Sequence, residues 1–333
     1  MEKAVEKGNY LAGFLSYEAG YSFEKILRTK ENYDFPLLCF GVYDRPIELI
    51  KTKGSRQITK NKIFNPCLNI TKESYFAKID NIRELIAAGE TYQITFCLKQ
   101  KFGYRGDPYA LYQQLLDFQP VPYPAFISYN DCSILSLSPE LFLEKTGGKI
   151  KVKPMKGTWL RTGGIINDLL GGIQLKYDPK NRAENVMIAD LLRNDLGRIC
   201  QYGSVRTPRL FEVAKYRTVY QMTSSVEGIL EEEIPFYEIF KALYPSGSVT
   251  GTPKIRAMQI IRELETEERR IYTGAIGYVT PERDLFFNIP IRTILLQGDQ
   301  AEMGVGGGIT YYSTPEGEFE ECLIKSRFIK AAL

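Results

Sequence analysis

The chain has 333 residues, of which 44% are hydrophobic, so it can bury a large core without disulfide staples. Its 43 basic and 40 acidic side chains nearly cancel and form no basic block. This balance argues against nucleic-acid and membrane-surface partners and favours a small-molecule partner. The chain contains no histidine, which excludes Ser-His and Cys-His nucleophiles and imidazole metal ligands.

The start of the chain, Met1 to Tyr10, is charged and lacks the apolar stretch of a signal peptide. No segment approaches 18 uninterrupted apolar residues. The six cysteines are dispersed without a CxxC pair, which predicts reduced thiols rather than a disulfide framework or a zinc cage. We therefore expect a cytoplasmic protein with no membrane partner.

Strand-like alternation of apolar and polar residues recurs along the chain, and the turn Thr146-Gly147-Gly148 predicts a hairpin. The predicted strands are Tyr10–Tyr17, Tyr92–Lys99, Ala125–Tyr129, Ser133–Leu137, Leu141–Glu144, Ile150–Pro154, Ile271–Val279, Leu285–Ile294 and Glu302–Gly308. The predicted helices are Thr71–Ala88, one starting at Asp107-Pro108, Lys180–Arg198, Pro235–Leu243, Pro253–Leu264 and one from Pro315 to the C-terminus. Strands grouped in runs favour an α+β fold with large antiparallel sheets.

The sequence contains no repeat of 20 to 50 residues and no low-complexity linker. We therefore expect one continuous domain over residues 1–333.

Some carboxylates share a predicted helix face with apolar residues, so burying that face would also desolvate the carboxylate. Glu184 shares a face with the apolar Met187, and Glu318, Glu321 and Lys325 lie roughly above one another near the C-terminus. An amphipathic helix with a solvated edge is the simpler interpretation of either pattern alone. Buried carboxylates need a compensating cation, and oxygen ligands from two helices would suit Mg²⁺.

Two glycine-rich segments, residues 304–308 and 244–254, resemble nucleotide loops only superficially. The first has Ile309 where GxGxxG needs glycine, and the second does not fit GxxxxGK[ST]. A nucleotide-binding fold is therefore not indicated. Both segments could offer backbone N–H groups to a carboxylate, although tight turns explain such glycines equally well.

Several long motifs occur in a fixed order. They are Ser138-Pro-Glu140, Pro154-Met-Lys-Gly-Thr158, the segment 181–195 (NRAENVMIADLLRND), the segment 247–258 (GSVTGTPKIRAM), Tyr272-Thr-Gly-Ala-Ile-Gly-Tyr278, Ile289-Pro-Ile-Arg292, Gly306-Gly-Gly308 and Glu318-Phe-Glu-Glu321. From about Ser74 to the C-terminus, they resemble the catalytic domain of the chorismate-utilising enzymes, which include anthranilate, aminodeoxychorismate, isochorismate and salicylate synthases. The resemblance implies the family's α+β fold, with large antiparallel sheets and helices around a central substrate cleft.

The resemblance also implies site residues. Glu184 and Glu321 match magnesium ligands, and Glu318 matches a residue that contacts the metal through water. The matching substrate contacts are Tyr272 and Arg292 for a carboxylate of chorismate, together with Gly157, Thr158, Ser248, Gly306, Gly307 and Gly308. Glu140 matches the acid that helps the ring hydroxyl leave.

Two departures from the family pattern bear on function. Many relatives carry a histidine where this chain has Gln221, whose amide can donate a hydrogen bond but cannot titrate. The N-terminal portion, residues 1–70, is shorter than in the family and lacks its tryptophan-contacting segment. Tryptophan feedback is therefore not carried over.

Lys156 distinguishes between the reactions of the family. Within Pro-Met-Lys-Gly-Thr it resembles the aminodeoxychorismate synthase form of the motif, where the lysine is a nucleophile. This resemblance implies a transaminase-type amination of chorismate to 4-amino-4-deoxychorismate for 4-aminobenzoate and folate synthesis. A separate glutamine amidotransferase subunit would supply the ammonia. The alternatives are anthranilate synthase and a catalytically silent chorismate-binding regulator, and the Lys156–Glu140 pair could also be an inert salt bridge.

Overall fold

The computed structural model describes residues 1–28, 32–48, 61–161, 164–216 and 219–326, and at 160, 165–167 and 169 it describes the backbone alone. The helices of these residues are α1 (Glu2–Val5), α2 (Lys72–Ala87), α3 (Pro108–Phe118), α4 (Ile165–Tyr177), α5 (Pro179–Gly197), α6 (Phe236–Leu243), α7 (Lys254–Leu264) and α8 (Pro315–Ser326). None of them is long and apolar enough to cross a membrane.

Local sequence signals explain where several helices begin. The side chains of Thr71, Asp107 and Asp178 accept hydrogen bonds from the first-turn N–H groups of α2, α3 and α5. Such caps satisfy backbone donors that have no partner within the helix. Pro108 and Pro179 occupy the first positions of α3 and α5, where a missing N–H costs nothing.

The described strands are β1 (Tyr10–Leu15), β2 (Leu38–Tyr43), β3 (Lys62–Leu68), β4 (Gln93–Arg105), β5 (Tyr123–Tyr129), β6 (Cys132–Ser138), β7 (Leu141–Thr146), β8 (Lys149–Lys153), β9 (Met155–Leu160), β10 (Arg206–Lys215), β11 (Val219–Ile229), β12 (Gly251–Thr252), β13 (Ala275–Val279), β14 (Leu285–Asn288), β15 (Thr293–Gln297) and β16 (Gln300–Ile309).

In the described part of the chain, these strands form two antiparallel sheets. The first has nine strands in the order β10-β11-β8-β7-β14-β13-β1-β2, with β9 also paired to β11. The second has seven, in the order β12-β4-β16-β15-β6-β5, with β3 also paired to β4. Phe14 and Ile276 of the first sheet share an apolar cluster with Ile134 and Leu295 of the second, so the sheets pack on each other.

Helices cover the outer faces of the sheets and complete two larger cores. Helices α2, α3, α7 and α8 pack against the second sheet, and α5 and α6 pack against the first. Large side chains such as Tyr75, Phe96 and Phe287 are completely buried between these layers. The arrangement confirms the expected α+β fold, and the large antiparallel sheets are confirmed with it.

The sequence located most of these elements, and the hairpin at Gly147 is confirmed by the pairing of Thr146 with Lys149. One strand prediction was wrong: 285–294 is two strands, because β14 belongs to the first sheet and β15 to the second. The first half of predicted strand 271–279 is a turn. Six strands (β2, β3, β9, β10, β11 and β12) and helices α1 and α4 were not predicted, and the predicted extension of the last helix beyond Ser326 lies outside the described residues.

Candidate active site

The chain passes between the two sheets at two adjacent crossovers. Glu140 lies between β6 and β7, and Arg292 lies between β14 and β15. The N–H of Ile289 donates to the carbonyl oxygen of Glu140 at 3.0 Å, and the N–H of Leu137 donates to that of Arg292 at 3.1 Å. Arg292 adopts a φ of 51°, which is uncommon for a residue other than glycine and occurs where the chain changes sheet.

Glu140 is a buried carboxyl group, 3% exposed, with two hydrogen-bond donors. Ser248 Oγ donates to its Oε1 at 2.7 Å, and the N–H of Met155 donates to the same oxygen at 3.3 Å. Burial raises the pKa of Glu140 to about 7, against the opposing effects of Ser248 and of the positive charge of Lys156. Near neutral pH this group can therefore hold a proton and donate it.

Lys156 lies at a β-bulge between β9 and β11. The pairs Met155–Thr223 and Thr158–Gln221 flank it, so one extra residue is inserted on the β9 side. Gly157 provides the positive φ of 87° at this bulge. Bulges of this kind redirect a side chain, and they are frequent beside active sites.

The amine of Lys156 points toward the glycine segment of β16. A Cβ added at Gly308 would lie 3.4 Å from Lys156 Nζ. Burial lowers the pKa of Lys156, against the opposing charges of Glu184 and Glu140. No carboxylate of the described residues lies within salt-bridge distance of Lys156, so the alternative of an inert Lys156–Glu140 salt bridge is wrong for this structure.

Three carboxylates come from helices α5 and α8, and the charges of two of them, Glu184 and Glu321, act on Lys156. Burial raises the pKa of Glu184, on α5, and the negative charge of Glu321 contributes in the same direction. Burial likewise raises the pKa of Glu318, on α8, although Ser313 Oγ donates to its Oε1 at 2.6 Å. Glu321 forms an ion pair with Lys325 Nζ at 2.7 Å. Carboxylates from two helices are thus close enough to repel one another.

The donor set fits a hard dication, although within the described ranges no three acidic or cysteine side chains form a complete metal cage. A Cβ added at Gly307 would lie 2.9 Å from Glu318 Oε2 and 3.9 Å from Glu321 Oε1. The glycine therefore leaves space in front of these oxygens. Mg²⁺ commonly takes one or two protein carboxylates and keeps several waters, so a partial cage is sufficient.

Other predicted substrate contacts lie on the two strands next to the Lys156 side chain, β9 and β16. Thr158 lies opposite Gln221 in the β9–β11 pair, and Gly306–Gly308 lie in β16 next to β4. The partly buried guanidinium of Arg292 has no carboxylate partner among the residues described, and burial lowers its pKa. Such a cation is suited to an anionic ligand.

Tyr272 is placed less directly than the resemblance implies. Its ring packs on Gly304, where any Cβ would collide with it. Burial raises its pKa well above the usual value, against the opposing positive charge of Arg269. It therefore belongs to the wall behind the glycine segment, and its contact with a substrate carboxylate stays a prediction.

Gln93 is a candidate that the sequence reasoning missed. It is 1% exposed, yet neither its Nε2 nor its Oε1 has a hydrogen-bond partner among the described residues. Its Nε2 occupies the space where a Cβ on Gly308 would be, beside Lys156 Nζ. Leaving both ends of a buried amide unpaired is costly, so a polar ligand is the expected partner. A lone glutamine in a strand carries no sequence signal that would have revealed this.

Gln221 provides a similar observation on the neighbouring strand. It is 2% exposed, and its Oε1 has no partner among the described residues. It lies opposite Thr158, so its free acceptor is near the β-bulge that holds Lys156.

The family model described as chorismate binding enzyme matches residues 2–331 of this chain. The chain belongs to this family. Aminodeoxychorismate synthase of Arabidopsis thaliana is 40% identical over 77% of this chain and 28% of the plant protein. Aminodeoxychorismate synthase component 1 of Bacillus subtilis is 37% identical over 79% of this chain and 56% of its own length. The chain thus spans between about a quarter and about half of these two relatives.

Among chorismate binding enzymes of known structure, anthranilate synthase component I of Streptococcus pneumoniae superposes with a TM-score of 0.85 at 27% identity. The superposition covers 97% of this chain and 80% of the other. The family relationship confirms the resemblance given by the motifs. The individual roles of the site residues stay predictions.

Proposed function

We propose that the chain is the aminating component of an aminodeoxychorismate synthase, which converts chorismate and ammonia to 4-amino-4-deoxychorismate for 4-aminobenzoate and folate synthesis. The observation that carries the proposal is the state of Lys156 and Glu140. The two buried groups act on each other by charge without forming an ion pair, and burial favours the neutral form of each. A neutral amine beside a protonated acid is the starting state for nucleophilic attack with assisted departure of a hydroxyl group.

The proposed reaction begins with attack by Lys156 Nζ on C2 of chorismate. The C2–N bond forms, the two ring double bonds shift toward C4, and the C4–O bond breaks. Glu140 donates its proton to the departing hydroxyl, which leaves as water. The new secondary ammonium then returns one proton to Glu140.

Ammonia completes the exchange. It attacks C4, the double bonds shift back, and the C2–N bond breaks to release Lys156, whose nitrogen takes the proton of Glu140. The ammonium formed at C4 returns a proton to Glu140. The net change is replacement of the C4 hydroxyl by an amino group with release of one water, which is a group-transfer reaction at carbon.

Anion binding would orient the substrate. Arg292 offers a guanidinium without a carboxylate partner in the described chain, so we propose that it holds a carboxylate of chorismate. We propose that the amides of Gly306–Gly308 and the residues Gly157, Thr158 and Ser248 provide further contacts. Glycines at these positions let the main chain approach a ligand closely.

We also propose that Mg²⁺ is the cofactor, with Glu184 and Glu321 as ligands and Glu318 in contact through water. The mutual repulsion of these carboxylates and the space in front of Gly307 support this assignment. A bound Mg²⁺ would supply Lewis-acid stabilisation of negative charge that develops at oxygen. Chelation should abolish activity.

We propose that ammonia comes from a separate glutamine amidotransferase subunit. Amidotransferases of the kind that serve this family use a Cys-His-Glu triad, and this chain has no histidine. A cytoplasmic location is part of the proposal, because all six cysteines are free thiols, as expected in a reducing compartment.

Anthranilate synthase component I is the second candidate, favoured by the fold similarity to the Streptococcus pneumoniae protein. The deciding experiment is mass analysis of the products formed from chorismate, Mg²⁺ and an ammonium salt. 4-Amino-4-deoxychorismate retains the enolpyruvyl group, whereas anthranilate forms with release of pyruvate. A chain that binds chorismate without turnover would be a regulator instead.

A further inference from the structure

Lys325 connects Glu321, a proposed metal ligand on α8, to the glycine-rich segment 304–308 of β16. Its Nζ forms the 2.7 Å ion pair with Glu321 Oε1 and also donates a hydrogen bond to the carbonyl oxygen of Gly306 at 2.7 Å. A Cβ added at Gly307 would lie 4.0 Å from the same Nζ. The ammonium is therefore fixed at two points beside the carboxylates proposed to hold Mg²⁺.

The second contact distinguishes this lysine from an ordinary surface residue. An ion pair four residues apart on a helix is common and weak, and both side chains here are about half exposed, at 44% and 53%. The hydrogen bond to Gly306 leads instead to a buried strand of the neighbouring sheet. Lys325 Nζ is thus held against the main chain of β16.

The charges of the site explain why a cation belongs there. Glu184, Glu318 and Glu321 carry three negative charges, and the charge of Lys325 acts on Glu318 and on Lys156. Without a nearby cation the three carboxylates would repel one another in a partly desolvated cleft. Mg²⁺ and the ammonium would both use the oxygens of Glu321.

We propose that Lys325 is a resident counter-cation that Mg²⁺ must displace from Glu321, so that this lysine sets the Mg²⁺ affinity of the protein. The proposal rests on the Mg²⁺ site described under the proposed function. Removal of Lys325 should therefore strengthen metal binding, although the residue contacts a proposed metal ligand. The cost of displacement is the ion pair, the hydrogen bond to Gly306 and the repulsion between the two cations.

The test is isothermal titration calorimetry of Mg²⁺ into the full chain without substrate, with the wild type, Lys325→Met, Lys325→Gln and the control Lys180→Met. Lys180 also acts electrostatically on Glu184 and Glu318, but it forms no ion pair with either in the described chain. Loss of a partly exposed pair and its hydrogen bond should tighten Mg²⁺ binding about three- to tenfold in both Lys325 variants. The Lys180 variant should change less.

A second readout follows the lysine itself. Crystal structures with and without Mg²⁺ should show Lys325 Nζ leaving Glu321 when the metal binds. The difference in Mg²⁺ affinity between the wild type and the Lys325 variants should become smaller in high salt. Equal or weaker Mg²⁺ binding by folded Lys325 variants overturns the inference and leaves the metal site intact. Equal tightening in the Lys180 variant shows a general field effect and also overturns it. Failure of the wild type to bind Mg²⁺ removes the metal site and the inference together.

Discussion

Asn185 Nδ2 donates a hydrogen bond to the carbonyl oxygen of Lys156 at 2.9 Å, which ties the β-bulge to helix α5. The amide oxygen of Asn185 accepts from Ser224 Oγ at 3.0 Å on β11. The residue is 1% exposed and follows Glu184 directly. One short stretch of α5 therefore positions both the proposed nucleophile and a proposed metal ligand.

Asn185→Ala should lower kcat about 10- to 100-fold, because a nucleophile displaced by about 1 Å loses much of its effective concentration. KM for chorismate should change much less, since both ends of the Asn185 amide are bound to protein groups. The control is Asn194→Ala, which removes an exposed asparagine from the same helix. A stability loss without a fall in kcat would show that Asn185 is only structural.

Lys156→Ala should abolish formation of 4-amino-4-deoxychorismate from chorismate and ammonia. Without the covalent step at C2, ammonia can attack C2 directly. Slow formation of anthranilate should therefore replace the formation of 4-amino-4-deoxychorismate. Product masses from the purified variant check this, with Lys153→Ala, an exchange on the preceding strand, as the control. If Lys156→Ala makes 4-amino-4-deoxychorismate at an unaltered rate, Lys156 is at most an electrostatic support.

The pH dependence of activity should report the proton on Glu140. Its folded-state pKa of about 7 lies above the ordinary value, so kcat/KM should fall as the pH rises through about 7 and the acid loses its proton. Because the pKa of Glu140 is higher in the folded than in the unfolded state, its proton adds to the free energy of unfolding at low pH. This contribution is lost as the pH rises through about 7.

Glu140→Gln tests the assignment, because the amide cannot titrate. The variant should be slow and should lack the alkaline limb of the wild-type profile. Glu144→Gln, on the strand β7 that follows Glu140 and with its side chain 42% exposed, should retain it. An alkaline limb that survives in Glu140→Gln would assign the titration to another group.

The periodicity of apolar residues predicted the helices and strands that have one polar and one apolar face. It failed for elements whose two faces are alike. Strand β11 is buried along nearly its whole length, so its sequence does not alternate. Helix α4 contains Gly171-Gly172, which weakens a helical pattern. The segment 285–294 reads as one strand because neither Pro290 nor the apolar residues around it reveal that the chain changes sheet there.

The site was predictable to the extent that single segments carried it. Glu184 and Glu321 could be recognised because each carboxylate lies on a helix face where burial without a cation would be costly. Lys156 could be recognised within its motif. Gln93 lies against Gly308, and Lys325 contacts Gly306. Both contacts join elements that are distant in sequence. Such pairings are decided by the sheet order, which the sequence pattern did not determine.

Metal dependence provides a further prediction. Glu321→Gln should weaken the Mg²⁺ dependence of turnover and leave the fold nearly intact, because the residue is about half exposed and loses one acceptor charge. Turnover at a series of Mg²⁺ concentrations and the thermal midpoint measure the two effects. Glu320→Gln, an exposed neighbour on α8, is the control. Unchanged turnover of the wild type in excess chelator would contradict the metal site.

The nitrogen source provides the last prediction. Hydrolysis of glutamine by a Cys-His-Glu triad needs a base to activate the thiol, and this chain has no histidine. Burial also raises the pKa values of Cys97, Cys132, Cys200 and Cys322, which keeps these thiols protonated. The purified chain should therefore aminate chorismate with ammonium salts alone, and it should use glutamine only after a separate amidotransferase is added. Because free ammonia is the reactive species, the rate with ammonium salts should rise with its concentration until the loss of the Glu140 proton limits turnover. Amination with glutamine by the rigorously purified single chain would overturn this division of labour.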